Sequence, residues 1–187
     1  MDVNNNEKRR KLVLFGSQIT VGGAQRVLLD QAQWFMDHGT DVLAVFFYDK
    51  DGLLDQWQQT HSFPVRALSQ YRRGGSKMKN LAGVVRGFFR LIVLLRNEKP
   101  DAVECFTHDA DLLGLPAAWL SGVPCRVGTH HGQFVGLGLL KEKLHTLVIN
   151  SPICSRLVCV SERARNQALS EGVRPGKIET ISTVSFR

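Results

Sequence analysis

No two cysteines in this sequence stand in a C-x-x-C spacing. Cys105, Cys125, Cys154 and Cys159 are scattered, which removes support for a zinc-ribbon or thioredoxin-like reading. Three of them lie in or beside apolar runs and read as small buried hydrophobes, so reduced thiols in a cytoplasmic setting fit best. Long apolar runs are lacking too. The most membrane-like stretch, Leu91 to Leu95, is far short of the roughly 20 residues that a span needs. Residues 1–10 are polar and charged, with no apolar signal region behind them, and read as a flexible tail ahead of one domain over residues 11–187. There is no G-x-G-x-x-G, no G-K-[ST] and no G-x-S-x-G. Nothing therefore favours a dinucleotide fingerprint, a P-loop triphosphatase or a hydrolase triad. Repeats and low-complexity segments are absent as well.

What is present is an ordinary globular composition with an excess of positive charge. The chain has 187 residues, 43% of them hydrophobic, enough for one sizeable core. A net charge of +7 and a pI near 9.5 argue for anionic company: phosphate, an anionic membrane surface or nucleic acid. Nucleic acid is the least favoured, because no aromatic residues interleave with the charges. The strongest basic concentration is Arg72, Arg73, Lys77 and Lys79, continued by Arg86 and Arg90. Two readings of it stay open: a solvated surface, or contact with an anionic lipid surface or phosphorylated acceptor.

The opening of the chain organises the rest. Leu12 to Phe15 is a short apolar run suited to a buried parallel strand. Gly16 to Gly23 reads as a loop, and Ala24 to His38 as a helix whose apolar residues recur at helical spacing. Gly39 stands where a helix-ending glycine belongs. Gly22 and Gly23 fall at the start of the helix, where free N–H groups and the positive end of the dipole collect. They either hold an anion there or only let the chain turn tightly.

Further strands are expected at Asp41–Tyr48, Phe63–Leu68, Ala102–Phe106, Cys125–Thr129, Arg156–Val160 and Lys177–Ile181. Helices are expected at Asn80–Asn97, Asp109–Leu120, Leu139–Asn150 and from Ser161–Glu162 to Glu171, and Asp49–Thr60 reads as a turn or a helix around Leu53, Leu54 and Trp57. The Asn80–Asn97 helix is so apolar that most of it should be covered. Such alternation implies right-handed βαβ units and an α/β fold with a mostly parallel sheet flanked by helices. Ligands of such sheets bind beyond the carboxyl ends of the strands, where strand order reverses. The loops to search are Gly16–Gly23, Thr107–Asp111, Thr129–Gly132 and Ser161–Glu162. Of His130 and His131, alternation turns one inward and one outward. A histidine there can donate to a sugar hydroxyl or phosphate, or be satisfied locally. His108, Asp109 and Asp111 form a weak metal pattern, since acids at a helix start are more often caps. No metal is therefore expected, and Glu104, Asp109, Asp111 and Glu162 cannot be paired from sequence.

The order of motifs resembles a known family. Gly22-Gly-Ala-Gln-Arg-Val-Leu-Leu-Asp30, Asp41-Val42, Lys99-Pro-Asp-Ala-Val103, Gly122-Val-Pro124, Thr129-His-His-Gly132 and Val158-Cys-Val-Ser-Glu162 follow one another as in glycosyltransferase family 4. The resemblance covers Lys11 to Ile181 and matches the N-terminal half of such enzymes. It implies half of a GT-B architecture, two Rossmann-like domains facing across a cleft. It also implies retaining sugar transfer from a nucleotide-sugar to a glycan or lipid-linked acceptor, with no metal and no cofactor. Gly22 and Gly23 would lie near the donor diphosphate, and His131, the catalytic candidate, near the donor sugar. Gln25, His108, Asp109, His130, Gly132, Ser161 and Glu162 complete the candidate substrate-binding set. The donor-binding half, with its E-x7-E motif, is not in this sequence, so the chain alone is expected to be inactive. Work at the inner face of a membrane would suit the basic segment. The rival expectations are a non-catalytic module that binds sugar phosphates and a membrane-docking module of the same fold.

Overall fold

The computed structural model describes residues 9–49, 51–70, 77–132 and 138–181. Its strands are β1 (Lys11–Ile19), β2 (Asp41–Asp49), β3 (Val65–Gln70), β4 (Ala102–Cys105), β5 (Cys125–His130), β6 (Arg156–Cys159) and β7 (Ile178–Thr180). Between them run α1 (Gly23–Asp37), α2 (Leu54–Thr60), α3 (Lys77–Glu98), α4 (His108–Leu120), α5 (Leu139–Asn150) and α6 (Glu162–Ser170). One sheet takes all seven strands in the order β3-β2-β1-β4-β5-β6-β7, and every pairing is parallel. This is the expected α/β, Rossmann-like arrangement.

Burial on both faces explains why the central strands are apolar without a break. Val13 and Phe15 of β1, with Leu43, Val45 and Phe47 of β2, enter one apolar cluster, together with Leu91 and Leu95 of α3 and Leu115 of α4. Leu12 and Leu14, with Val42, Ala44 and Phe46, enter the other, against Leu28 and Ala32 of α1. Adjacent residues thus serve opposite layers, as the pleat requires.

Three expectations change. β1 does not stop at Phe15; it continues to Ile19 and pairs with β2 as far as Asp49. Gly16 therefore belongs to the strand. A Cβ there would stand 2.6 Å from the Phe46 ring and 3.3 Å from Leu28, so the lack of a side chain lets the layer close. Lys77, not Asn80, begins α3. That helix is also less covered than its composition suggested. Leu91, Ile92 and Leu95 are buried, but Leu81, Phe89 and Val93 are 65%, 61% and 57% exposed. Only its inner edge meets the sheet.

Candidate functional site

Because the sheet is parallel throughout, all its carboxyl ends lie along one rim. From β1 the chain steps outward through β2 to β3, and from β4 outward the other way to β7. The order reverses between β1 and β4, and there the rim is split into a crevice. The glycine loop leaves β1 on one side of that point. The His108 and His131 segments leave β4 and the next strand, β5, on the other.

Gly22 is the N-cap of α1 in an extended conformation, and no side chain caps the first turn, which carries no acid. Gly22 and Gly23 are exposed. The start of α1 therefore combines the positive end of the dipole with accessible backbone, an arrangement suited to an anion. Gln25 does not face outward freely: its Nε2 donates to the Gln18 carbonyl at 3.3 Å, tying α1 to the end of β1.

His130 closes β5 and is buried, while His131 follows it half-buried, so the alternation holds. The His131 ring lies beside that of Phe106, with centroids 6.1 Å apart and planes 27° from parallel. Phe106 donates its N–H to the Phe15 carbonyl at 3.1 Å and packs in the apolar cluster with Ile19 and Leu28. A continuous set of contacts thus joins the strand before the glycine loop to the histidine. Nε2 of His131 has no hydrogen-bond partner among the described residues. Burial and then His130 lower its pKa, so it is a neutral hydrogen-bonding group rather than a cation. Gly132 has φ of +100°, the left-handed region in which glycine is favoured.

Behind His131 the fold assembles a cluster that the sequence did not reveal. His108 opens α4, and its ring centroid is 5.0 Å from His130 and 4.2 Å from His145 of α5. His145 Nε2 is 2.8 Å from Asp111 Oδ2. Burial, then His145 and His130, hold His108 down at about 3. Asp111 is pushed up to about 6 by burial, against the pull of His145. Glu104 is raised to about 7, mainly by burial, while the hydroxyl of Thr129 donates to it at 3.1 Å. His108, His130 and Glu171 place ligand-type atoms within 4.8 Å of one another. This corrects the His108, Asp109 and Asp111 grouping.

Asp109 is exposed and ion-paired with Lys141 of α5. Thr107 takes the cap of α4, accepting from the Ala110 N–H at 3.1 Å. Ser161 likewise caps α6 by accepting from Ala164 N–H at 3.1 Å, and Glu162 is exposed in the first turn. Arg86 and Arg90 are exposed on α3, where Arg90 Nη1 donates to the Leu68 carbonyl at 2.8 Å. Both line a cavity of about 730 Å³ with Asp49, Asp55 and Ser69, beside the carboxyl ends of β2 and β3. Arg72 and Arg73 lie outside the described residues, as do the side chains of Lys77 and Lys79. No helix among the described residues is long and apolar enough to cross a membrane.

Sequence reasoning missed His145 and Glu171. A histidine on an amphipathic helix and a glutamate just past a helix end carry no local mark, and only tertiary packing makes them neighbours of the rim.

The family model described as Glycosyltransferase Family 4 matches residues 21–183. Among solved structures, Anabaena Alr3699/HepE in complex with UDP superposes with a TM-score of 0.73 at 17% identity, over 92% of this chain and 43% of that one. The lipopolysaccharide outer core galactosyltransferase WaaB in its apo form gives 0.67 at 14% identity, over 95% and 47%. UDP-N-acetylglucosamine 2-epimerase from Rickettsia bellii gives 0.65 at 15% identity, over 92% and 44%. At these identities the likeness is one of fold. The chain spans less than half the length of each of these proteins. No curated protein matches the chain.

Proposed function

The chain belongs to glycosyltransferase family 4, and from that premise we propose that it is the acceptor-side half of a retaining glycosyltransferase. The whole enzyme moves a sugar from a nucleotide-sugar to a glycan acceptor, for which a lipid-linked glycan is our candidate. The donor-binding lobe faces the rim from outside this chain. The nucleotide-sugar is a substrate, and no cofactor takes part.

In the transfer, the bond from the anomeric carbon to the diphosphate oxygen breaks and its electron pair leaves with the diphosphate. A bond forms from that carbon to the acceptor oxygen, and the proton of its hydroxyl passes to the leaving diphosphate oxygen. Negative charge grows on the leaving diphosphate. The N–H groups and dipole at the glycine start of α1 oppose it. His131, neutral and half-buried, makes a hydrogen bond to the donor sugar and orients it.

One observation carries this reading: an uncapped glycine helix start and His131 flank the reversal of strand order, joined through Phe106. HepE, which shares the fold, was solved with UDP, and that makes UDP the probe of choice. Titration of UDP into the protein, followed by backbone amide NMR, is expected to move Gly22, Gly23 and the residues around His131. Shifts confined to other surfaces overturn the assignment.

The exposed apolar side chains of α3 and the arginines beside them support docking at the inner face of an anionic membrane. Cosedimentation should be stronger with anionic than with neutral vesicles, and binding indifferent to lipid charge rules this docking out.

A further inference from the structure

Under His131 lies a group of buried polar side chains that the transfer reading leaves unused. His130 comes from the end of β5 and Glu171 from the residue that caps the end of α6. Their facing atoms, His130 Nε2 and Glu171 Oε2, are 3.6 Å apart. Neither atom has a hydrogen-bond partner among the described residues. The other oxygen of Glu171 is held by Gln167, whose Nε2 donates to it at 2.8 Å. The carboxylate is thus anchored from one side and aimed at the imidazole on the other.

A divalent ion between His108, His130 and Glu171 is the first occupant that their proximity suggests. The hydrogen bonding of His130 points elsewhere. Its Nδ1 accepts the backbone N–H of Gly132 at 3.2 Å, so the Nδ1 lone pair is in use. Burial lowers the pKa of this imidazole while Glu171 pulls it up, and in the neutral ring the single hydrogen then sits on Nε2. Glu171 faces a hydrogen and not a lone pair that a metal could take.

We propose that Glu171 is a positioning residue for the rim: drawn in from 3.6 Å to accept the Nε2–H, it fixes His130 in the Nε2–H tautomer, which leaves Nδ1 to hold the Gly132 N–H and so sets the left-handed turn that carries His131. The functional consequence rests on the role given to His131 above, but the structural relay does not. A carboxylate on a separate helix thereby controls the direction of an imidazole one residue away from the histidine it orients. The same arrangement lets a neutral acceptor in place of the carboxylate do much of the work, because the relay needs an oxygen lone pair and not a charge.

Long-range proton–nitrogen NMR of the histidine rings in the wild-type protein tests the relay first. The expected result is a protonated Nε2 and an unprotonated Nδ1 for His130. In Glu171→Gln the tautomer is expected to persist. In Glu171→Leu it should become mixed, with Gly132 amide exchange faster by roughly fivefold, the equivalent of one hydrogen bond. In the full-length enzyme, Glu171→Leu should lower kcat more than it raises KM, and Glu171→Gln should restore most of the loss. A wild-type Nδ1–H tautomer overturns the proposal even where the leucine variant fails to fold. So does zinc that binds in one equivalent and shifts the His130 Nε2 resonance. If His131→Ala is fully active while the tautomer is as expected, the relay stands and the transfer reading falls.

Discussion

Phe106 flanks the His131 imidazole, with planes 27° from parallel and centroids 6.1 Å apart, and hands its own N–H to the carbonyl of Phe15. The residue is almost fully buried, so it ties the end of β4 to the strand ahead of the glycine loop and supports the histidine at once. Phe106→Ala should cost about 3–5 kcal/mol in urea unfolding. Phe106→Leu should cost less than half as much and still lower transfer by the full-length enzyme, because it fills the core but removes the flat support. A leucine variant with wild-type kcat/KM contradicts the supporting role.

The buried histidines make stability depend on pH in a specific way. His108 is held at about 3, and burial also lowers His130 and His131. Unfolded histidines take up protons near pH 6.5. The unfolded state therefore binds more protons below that pH, and stability is lost as pH falls. Glu104 and Asp111 act in the opposite direction. Raised to about 7 and about 6, they hold protons longer in the folded state, and this contribution is present at low pH and lost as pH rises through those values. The two sets offset each other from about pH 4.5 to 6.5, and below about pH 4, of these buried groups, the histidines alone still change charge. Unfolding free energies from urea titration are expected to differ little between pH 7 and pH 5.5 and to fall steeply by pH 3.5, by at least about 2 kcal/mol. Glu104→Gln, which keeps an acceptor for Thr129, should gain stability over wild type at pH 8 relative to pH 5. A pH-independent difference between the two proteins contradicts the raised carboxyl.

Gly16 sits inside β1 with the Phe46 ring 2.6 Å from where its Cβ would be. Gly16→Ala should cost about 1–3 kcal/mol by overpacking. Adding Phe46→Leu should return part of that, so that the pair is less destabilised than the sum of the single variants. Strict additivity in a double-mutant cycle indicates that the two sites do not touch.

The alternation of strands and helices was legible because each signal is local. Phe15, Val45 and Val103 stand in apolar runs, and α1 repeats its apolar residues at helical spacing. Gly16, Ser17 and Gln18 hid the second half of β1: they break the apolar run, although the backbone goes on pairing with β2. The candidate site was half legible. The glycine loop, His108, His130 and His131 could be placed at the rim in advance because they follow strand ends, where ligands of a parallel sheet gather. Glu171 and His145 were not, since their approach depends on how α5 and α6 pack. The open face of α3 was misjudged for a related reason: composition shows that Leu81 and Phe89 are apolar, but not whether anything in this chain lies over them.

In the proposed transfer, His131 acts on the donor sugar at the rim of β5. Steady-state transfer by the full-length enzyme, with wild type and His131→Ala compared at saturating acceptor, tests that most directly. The variant should fold normally and lose about a hundredfold in kcat/KM for the nucleotide-sugar, the scale on which one well-placed hydrogen-bond donor contributes to a transition state. A value within twofold of wild type contradicts it.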